Sequence, residues 1–90
     1  GFNCNEVPVI CGTHDAIMDK MARLNLDLLH VSFGKKSAQP DGEVVFMVLY
    51  YANTQGTTTA AVLAMPNDPT ACLLFVTFDV TLAPEKKENF

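Results

Sequence analysis

The most apolar stretch of the sequence covers residues 43–52 and reads EVVFMVLYYA. It is rich in valine, phenylalanine and tyrosine, which favour strands, so we predict a β-strand here. Successive side chains of a strand point to opposite sides of a sheet. One side of this strand would carry Met47 and Leu49, and the other would carry Phe46 and Val48. Both sides are apolar, so both sides of the sheet need cover.

Turn signals on either side of this stretch divide the rest of the chain into strands. They read Pro40-Asp-Gly, Asn53-Thr-Gln-Gly and Pro66-Asn-Asp-Pro, all of them residues that favour turns. Such short connections join antiparallel neighbours, because parallel pairing needs a crossover of about a dozen residues or more. The sequence therefore predicts four antiparallel strands in chain order, at about residues 26–34, 43–52, 57–65 and 71–82.

A single helix is predicted before the strands, at about residues 13–24. Its apolar residues Ile17, Met21 and Leu24 recur at helical spacing and form one stripe. Thr13 can cap the first turn with its hydroxyl, and Asn25 can adopt the left-handed conformation that ends a helix. The predicted fold class is α+β, with one N-terminal helix packed on a four-stranded antiparallel meander sheet.

Length and composition indicate one small domain. The chain has 90 residues, of which 49% are hydrophobic, so there is enough apolar surface to fold but room for only one core. We assign residues 1–83 to the domain, with an N-terminal arm at 1–12 and a charged tail at 84–90. No Lys or Arg occurs between Val44 and Leu82, and no apolar run has the ~18 residues of a membrane span. We therefore expect neither a nucleic-acid partner nor a membrane span.

Three cysteines bear on the compartment of the protein, namely Cys4, Cys11 and Cys72. The chain opens on Gly1 without an initiator Met, which we interpret as the result of signal-peptide removal. A secreted or periplasmic protein can hold a disulfide, so we expect one. Cys4 with Cys11 is the most local pairing, and Cys72 is the alternative partner for either cysteine. The sequence leaves the connectivity open.

The densest group of reactive side chains is Cys11-Gly-Thr-His14, just before the predicted helix. A thiol at a helix N-terminus has a lowered pKa, and a nearby histidine can accept its proton. Cys4, Cys11, His14 and Cys72 could also form a Cys3His zinc site, although the close cysteine pair typical of such sites is missing. The sequence has no paired-carboxylate, phosphate-loop or serine-elbow motif. We therefore expect a protein that is not an enzyme and has no catalytic residue, metal or cofactor.

The predicted helix is too small to cover the predicted sheet. A helix of this length is about 18 Å long and ~10–12 Å wide, whereas four strands span about 15–19 Å. We predict that a protein partner covers the remaining apolar face, in the first place a second copy in a homodimer. Phe46, Tyr50 and Phe78 are the predicted interface residues. The alternatives are a small apolar ligand, for which the four methionines offer adaptable walls, and an enzyme site at Cys11 and His14.

Overall fold

The structure, a computed structural model, describes residues 9–84 of the chain. It confirms the α+β class, with one α-helix and one antiparallel sheet in this part of the chain. A short 3-10 turn, Lys36–Ala38, lies between the second and third strands. In chain order the elements are β1 (Ile10–Thr13), α1 (His14–Arg23), β2 (Asp27–Lys35), β3 (Val44–Ala52), β4 (Thr59–Ala64) and β5 (Thr70–Thr77).

The sheet has five strands, so the prediction of four was wrong. Its strand order is β1-β5-β4-β3-β2, and every neighbouring pair is antiparallel. Strands β2 to β5 form the predicted meander. The additional strand, β1, comes from the segment predicted to be an arm, and it pairs with β5 from Ile10 opposite Leu73 to Thr13 opposite Thr70. β5 would otherwise be an edge strand with a free row of backbone groups, and β1 pairs with that row.

The ends of α1 follow from local side-chain and backbone chemistry. Thr13 is the N-cap, and its Oγ1 accepts a hydrogen bond of 3.2 Å from the backbone N–H of Ala16. At the other end Asn25 has a φ of 59°, and the N–H of Leu26 donates to the carbonyl of Met21. This arrangement is a Schellman motif, which ends a helix by satisfying its last carbonyls. The helix therefore lies where the sequence predicted it.

The core lies between α1 and one face of the sheet. Ile17 and Met21 of the helix are buried against Tyr51, Val62 and Leu73. The Tyr51 hydroxyl donates a hydrogen bond of 2.8 Å to the Met18 Sδ, and burial raises the pKa of Tyr51 above its ordinary value. The sheet residues beneath the helix include three buried alanines, whose small side chains leave room for it: Ala60, Ala64 and Ala71.

β5 is shorter than predicted and contains an irregularity. It ends at Thr77 and not near residue 82, and Asp79 beyond it has a φ of 56°, which an extended strand does not accommodate. The pairing of β5 with β4 shifts register, with Phe75 opposite Ala61 but Leu73 opposite Val62. Leu74 is therefore the extra residue of a β-bulge, and the alternation of side chains reverses across it. Of the predicted tail 84–90, residues 85–90 lie outside the described residues.

Candidate functional site

The side of the sheet opposite α1, which we call the open face, carries a row of apolar side chains. Residues paired directly across antiparallel strands share a face. Tyr50 of β3, Ala61 of β4 and Phe75 of β5 are paired in this way, and they alternate with the buried residues beneath the helix. Within residues 9–84 the α-helix lies on the other side, so no described helix covers this row. The open face is therefore the apolar surface that the sequence predicted to need a partner.

Tyr50 is the centre of this face. Its ring lies 4.6 Å from the ring of His30, centroid to centroid, across the β2–β3 pairing. On its other side, Ala61 is buried in the row between Tyr50 and Phe75. The result is a surface with two large rings held over strands β3 to β5, flanked by an imidazole. Aromatic side chains held in this way are typical anchors of protein–protein interfaces.

Phe46, the second predicted interface residue, also lies on the open face but has a structural role. It is opposite Gly34 of β2, and a Cβ at position 34 would overlap the ring of Phe46. Glycine is therefore required where the ring lies across the neighbouring strand. An aromatic ring placed over a strand glycine restores the apolar contact that glycine lacks. Phe46 thus stabilises the β2–β3 pairing as well as contributing apolar surface.

Phe78, the third predicted interface residue, lies beyond the end of β5 and is 67% exposed. Strict alternation from Cys72 would put Phe78 on the same side as Tyr50. The bulge at Leu74 breaks this alternation and turns Phe75 to the open face in its place. Phe75 is therefore the residue that the sequence analysis missed, and no sequence signal marks the bulge.

The disulfide joins Cys11 of β1 to Cys72 of β5, with an S–S distance of 2.09 Å. This is the pairing that the sequence gave as the alternative, and it leaves Cys11 unavailable to Cys4, which lies outside the described residues. The two cysteines are directly opposite each other at the edge of the open face, in the row that contains Leu63. Their bond ties the first described strand to the last.

The disulfide also decides the chemistry of the Cys11 and His14 segment in this structure. A sulfur in a disulfide is not a thiolate, so it supplies neither a nucleophile nor a metal ligand. His14 is the first residue of α1, and its backbone N–H donates to the Pro69 carbonyl at 2.7 Å. Over residues 9–84 there is no group of three or more His, Cys, Asp or Glu side chains that could hold a metal ion.

A cavity of about 530 Å³ lies at the end of β2, away from the site proposed for an apolar ligand between helix and sheet. Phe33, Gly34 and Phe46 form one wall, and residues of the following loop form the other. None of the four methionines is among its lining residues. Met18 and Met21 belong to the packing of α1 instead.

A second apolar surface lies on the helix side of β2. Val31 is 39% exposed and Phe33 56%, because α1 packs mainly over the β1 and β5 end of the sheet, and the neighbouring Leu29 is 66% exposed. Val31 and Phe33 lie opposite Leu49 and Met47 on the helix side, whereas Leu29 is the extra residue of a β-bulge between Leu28 and His30. Their exposure follows from the position of β2 at the edge of the sheet, where the predicted meander also places this strand.

The chain matches no protein-family model, no curated protein and no solved structure. In the part of the chain that the structure describes, no helix is long and apolar enough to cross a membrane.

Proposed function

We propose that this domain is a non-enzymatic protein-interaction module that binds a second copy of itself through the open face of its sheet. The observation that carries the proposal is the row Tyr50, Ala61 and Phe75, on a face that no described helix covers. Tyr50 and Phe75 supply aromatic anchors on either side of the buried Ala61, at the centre of this face, where the residues that dominate binding energy are usually found.

The absence of charge on the central strands supports self-association. Strands β3, β4 and β5 contain no Asp, Glu, Lys or Arg. Two copies can therefore meet face to face without like charges at the centre of the interface, where charged residues are usually depleted. Burial of about 600 Å² of apolar surface contributes on the order of 15 kcal/mol before the ordering costs of association. Twofold homodimers are also the commonest oligomers.

We place this module in the secreted or periplasmic compartment. The support is the Cys11–Cys72 disulfide, because such bonds persist in oxidising compartments and are rare in the cytosol. The proposal includes neither a metal nor a cofactor.

The test is the mass of the full chain in solution, measured by sedimentation equilibrium at tens of micromolar. We expect an oligomer in the wild type, and we expect Tyr50→Ala or Phe75→Ala to weaken it at least about tenfold, because truncation of an aromatic anchor costs about 2 kcal/mol or more. Circular dichroism confirms that each variant remains folded. The matched control is Phe78→Ala, which removes a more exposed ring outside the open face and should leave the mass unchanged.

Two results would contradict the proposal. One is a monomeric wild type over this concentration range. The other is a Phe78→Ala variant that associates as weakly as Tyr50→Ala, since the open face would then not be the surface that binds.

A further inference from the structure

The cavity at the end of β2 is formed by the last residues of that strand and by the loop that follows it. Its volume of about 530 Å³ lies in the range of about 300–1,000 Å³ that is typical of small-molecule sites. Most of its wall is apolar carbon, from the rings of Phe33, Phe46 and Pro40 and the methyl group of Ala38. The volume and the lining therefore suit a small organic molecule.

The two phenyl rings of the wall come from opposite faces of the sheet. Phe33 is paired with Met47 on the helix side, whereas Phe46 lies over Gly34 on the open face. The ring of Phe33 is 56% exposed, so its packing against residues 9–84 leaves much of it free for another contact. An aromatic ligand would bury this surface, and pairs of aromatic rings gain stability beyond the area that they bury.

The cavity also carries one positive charge, that of Lys35, which is half-buried. The Lys35 Nζ donates a hydrogen bond of 3.0 Å to the Pro40 carbonyl. A lysine ammonium has three N–H donors, so two donors remain after this bond. The other charged residues of the loop region do not line the cavity: Lys36, Asp41 and Glu43. The charge at the wall is therefore positive and suits an anionic group.

Hydrogen bonds within the loop hold its side of the cavity in place. The backbone N–H of Lys36 donates to the Glu43 carbonyl at 2.8 Å, and that of Gly42 donates to the Gln39 carbonyl at 2.8 Å. The lysine side-chain bond described above joins the end of the strand to the same loop. Because the wall is formed in advance, a ligand needs to order little of it on binding.

We propose that this cavity binds a small aromatic anion, with the aromatic ring against Phe33 and Phe46 and the acidic group at the Lys35 ammonium. Hydrogen bonds between two charged groups are stronger than those between neutral groups, so the charge adds affinity as well as orientation. The site goes beyond the proposed function, since it lies at the end of β2 and does not require a second copy of the chain.

The experiment is a fluorescence titration of the full chain with anilinonaphthalene sulfonate, an aromatic anion. Its matched neutral probe is phenylnaphthylamine, which has the same rings without the sulfonate. We expect saturable binding of the anion, at least about fivefold tighter than that of the neutral amine, because the charge-assisted bond is made by the anion alone. Added NaCl should weaken the anion and leave the neutral probe unchanged, since salt screens an exposed ion pair.

Substitutions of two neighbouring lysines test the charge. Lys35→Met keeps an aliphatic side chain without the ammonium, and it should weaken the anion at least about fivefold and leave the neutral probe unchanged. Lys36→Met is the matched control, because it removes the adjacent charge that does not line the cavity. It should bind both probes as the wild type does. Lys35→Arg retains the charge and a donor for Pro40, and it should retain the preference for the anion.

A second pair of substitutions tests the place at which the probe binds, because the open face is another apolar surface. Phe33→Ala removes one aromatic wall of the cavity and should weaken both probes at least about threefold. Tyr50→Ala removes the central ring of the open face and should leave the affinity of the anion unchanged. Circular dichroism confirms that each variant is folded.

Three results would overturn the cavity site. They are equal affinity of the wild type for the two probes, a Lys36→Met variant that loses as much anion affinity as Lys35→Met, and loss of the anion in Tyr50→Ala but not in Phe33→Ala. The outcome is independent of self-association. A monomeric wild type that prefers the anion supports the cavity site and contradicts the open-face proposal, whereas an oligomer without saturable binding does the reverse.

Discussion

The two edges of this sheet are built in opposite ways. β1 has four residues, is covalently bonded to its neighbour through Cys11 and Cys72, and leads directly into α1 at Thr13. β2 has nine residues, pairs with β3 alone among the strands of residues 9–84, and exposes apolar side chains. A short, cross-linked edge offers little to another strand, whereas a long apolar edge offers a template. One edge of the sheet is therefore closed by a covalent bond, and the other is left with exposed apolar side chains.

The largest effect is expected at the β1 edge, on removal of the disulfide. The Cys11→Ala and Cys72→Ala double variant should lose about 2–5 kcal/mol of unfolding free energy, because the bond spans 61 residues and restricts the unfolded chain. Urea unfolding with and without a reductant measures this loss. Reductant should destabilise the wild type and leave the double variant unaffected. If the wild type without reductant is no more stable than the double variant, the disulfide does not stabilise the β1 edge.

An intermediate effect is expected where β1 joins α1. Thr13→Ala removes the hydroxyl that accepts the Ala16 N–H, and it should lower the unfolding free energy by about 1 kcal/mol. Thr13→Asn is the matched control, because asparagine is also a good N-cap and should retain most of the stability. Thermal unfolding followed by circular dichroism compares the three proteins. If Thr13→Ala and Thr13→Asn lower the unfolding free energy equally, the side-chain cap at position 13 does not stabilise the junction of β1 and α1.

The smallest effect is expected at the β2 edge. Leu29→Ala should change the unfolding free energy of the dilute chain by no more than about 0.5 kcal/mol, because Leu29 is 66% exposed. Met21→Ala, in the buried core, should cost about 2–5 kcal/mol in the same urea titration. A large loss for Leu29→Ala at low concentration would show that the β2 edge supports the single chain, and the contrast between the edges would disappear.

Much of the fold was predictable because it depends on neighbouring residues. The cap at Thr13, the left-handed Asn25 and the short turns between strands are local features, and they identified α1 and the meander from β2 to β5. β1 was not predictable in the same way. Its residues, Ile-Cys-Gly-Thr, show no alternation of their own, and they become a strand through pairing with β5 some sixty residues away.

The candidate site was predictable in part for a related reason. The two-sided apolar pattern of β3 indicated an uncovered face and identified Tyr50. The bulge at Leu74 depends on how β5 aligns with β4, so the exchange of Phe78 for Phe75 could not be inferred from alternation along one strand. The supporting contact of Phe46 with Gly34 likewise depends on the register between β2 and β3.

The pairing of β1 with β5 has a consequence for the order in which the chain folds. The earliest described strand leaves the ribosome before the meander does, and it must wait for the last strand before it can pair. Contacts between such distant segments raise the contact order, and a high contact order slows folding towards the millisecond-to-second range. During synthesis α1 would therefore be present before β5, the strand on which it packs. We expect chaperones that shield apolar segments to be needed most in this interval.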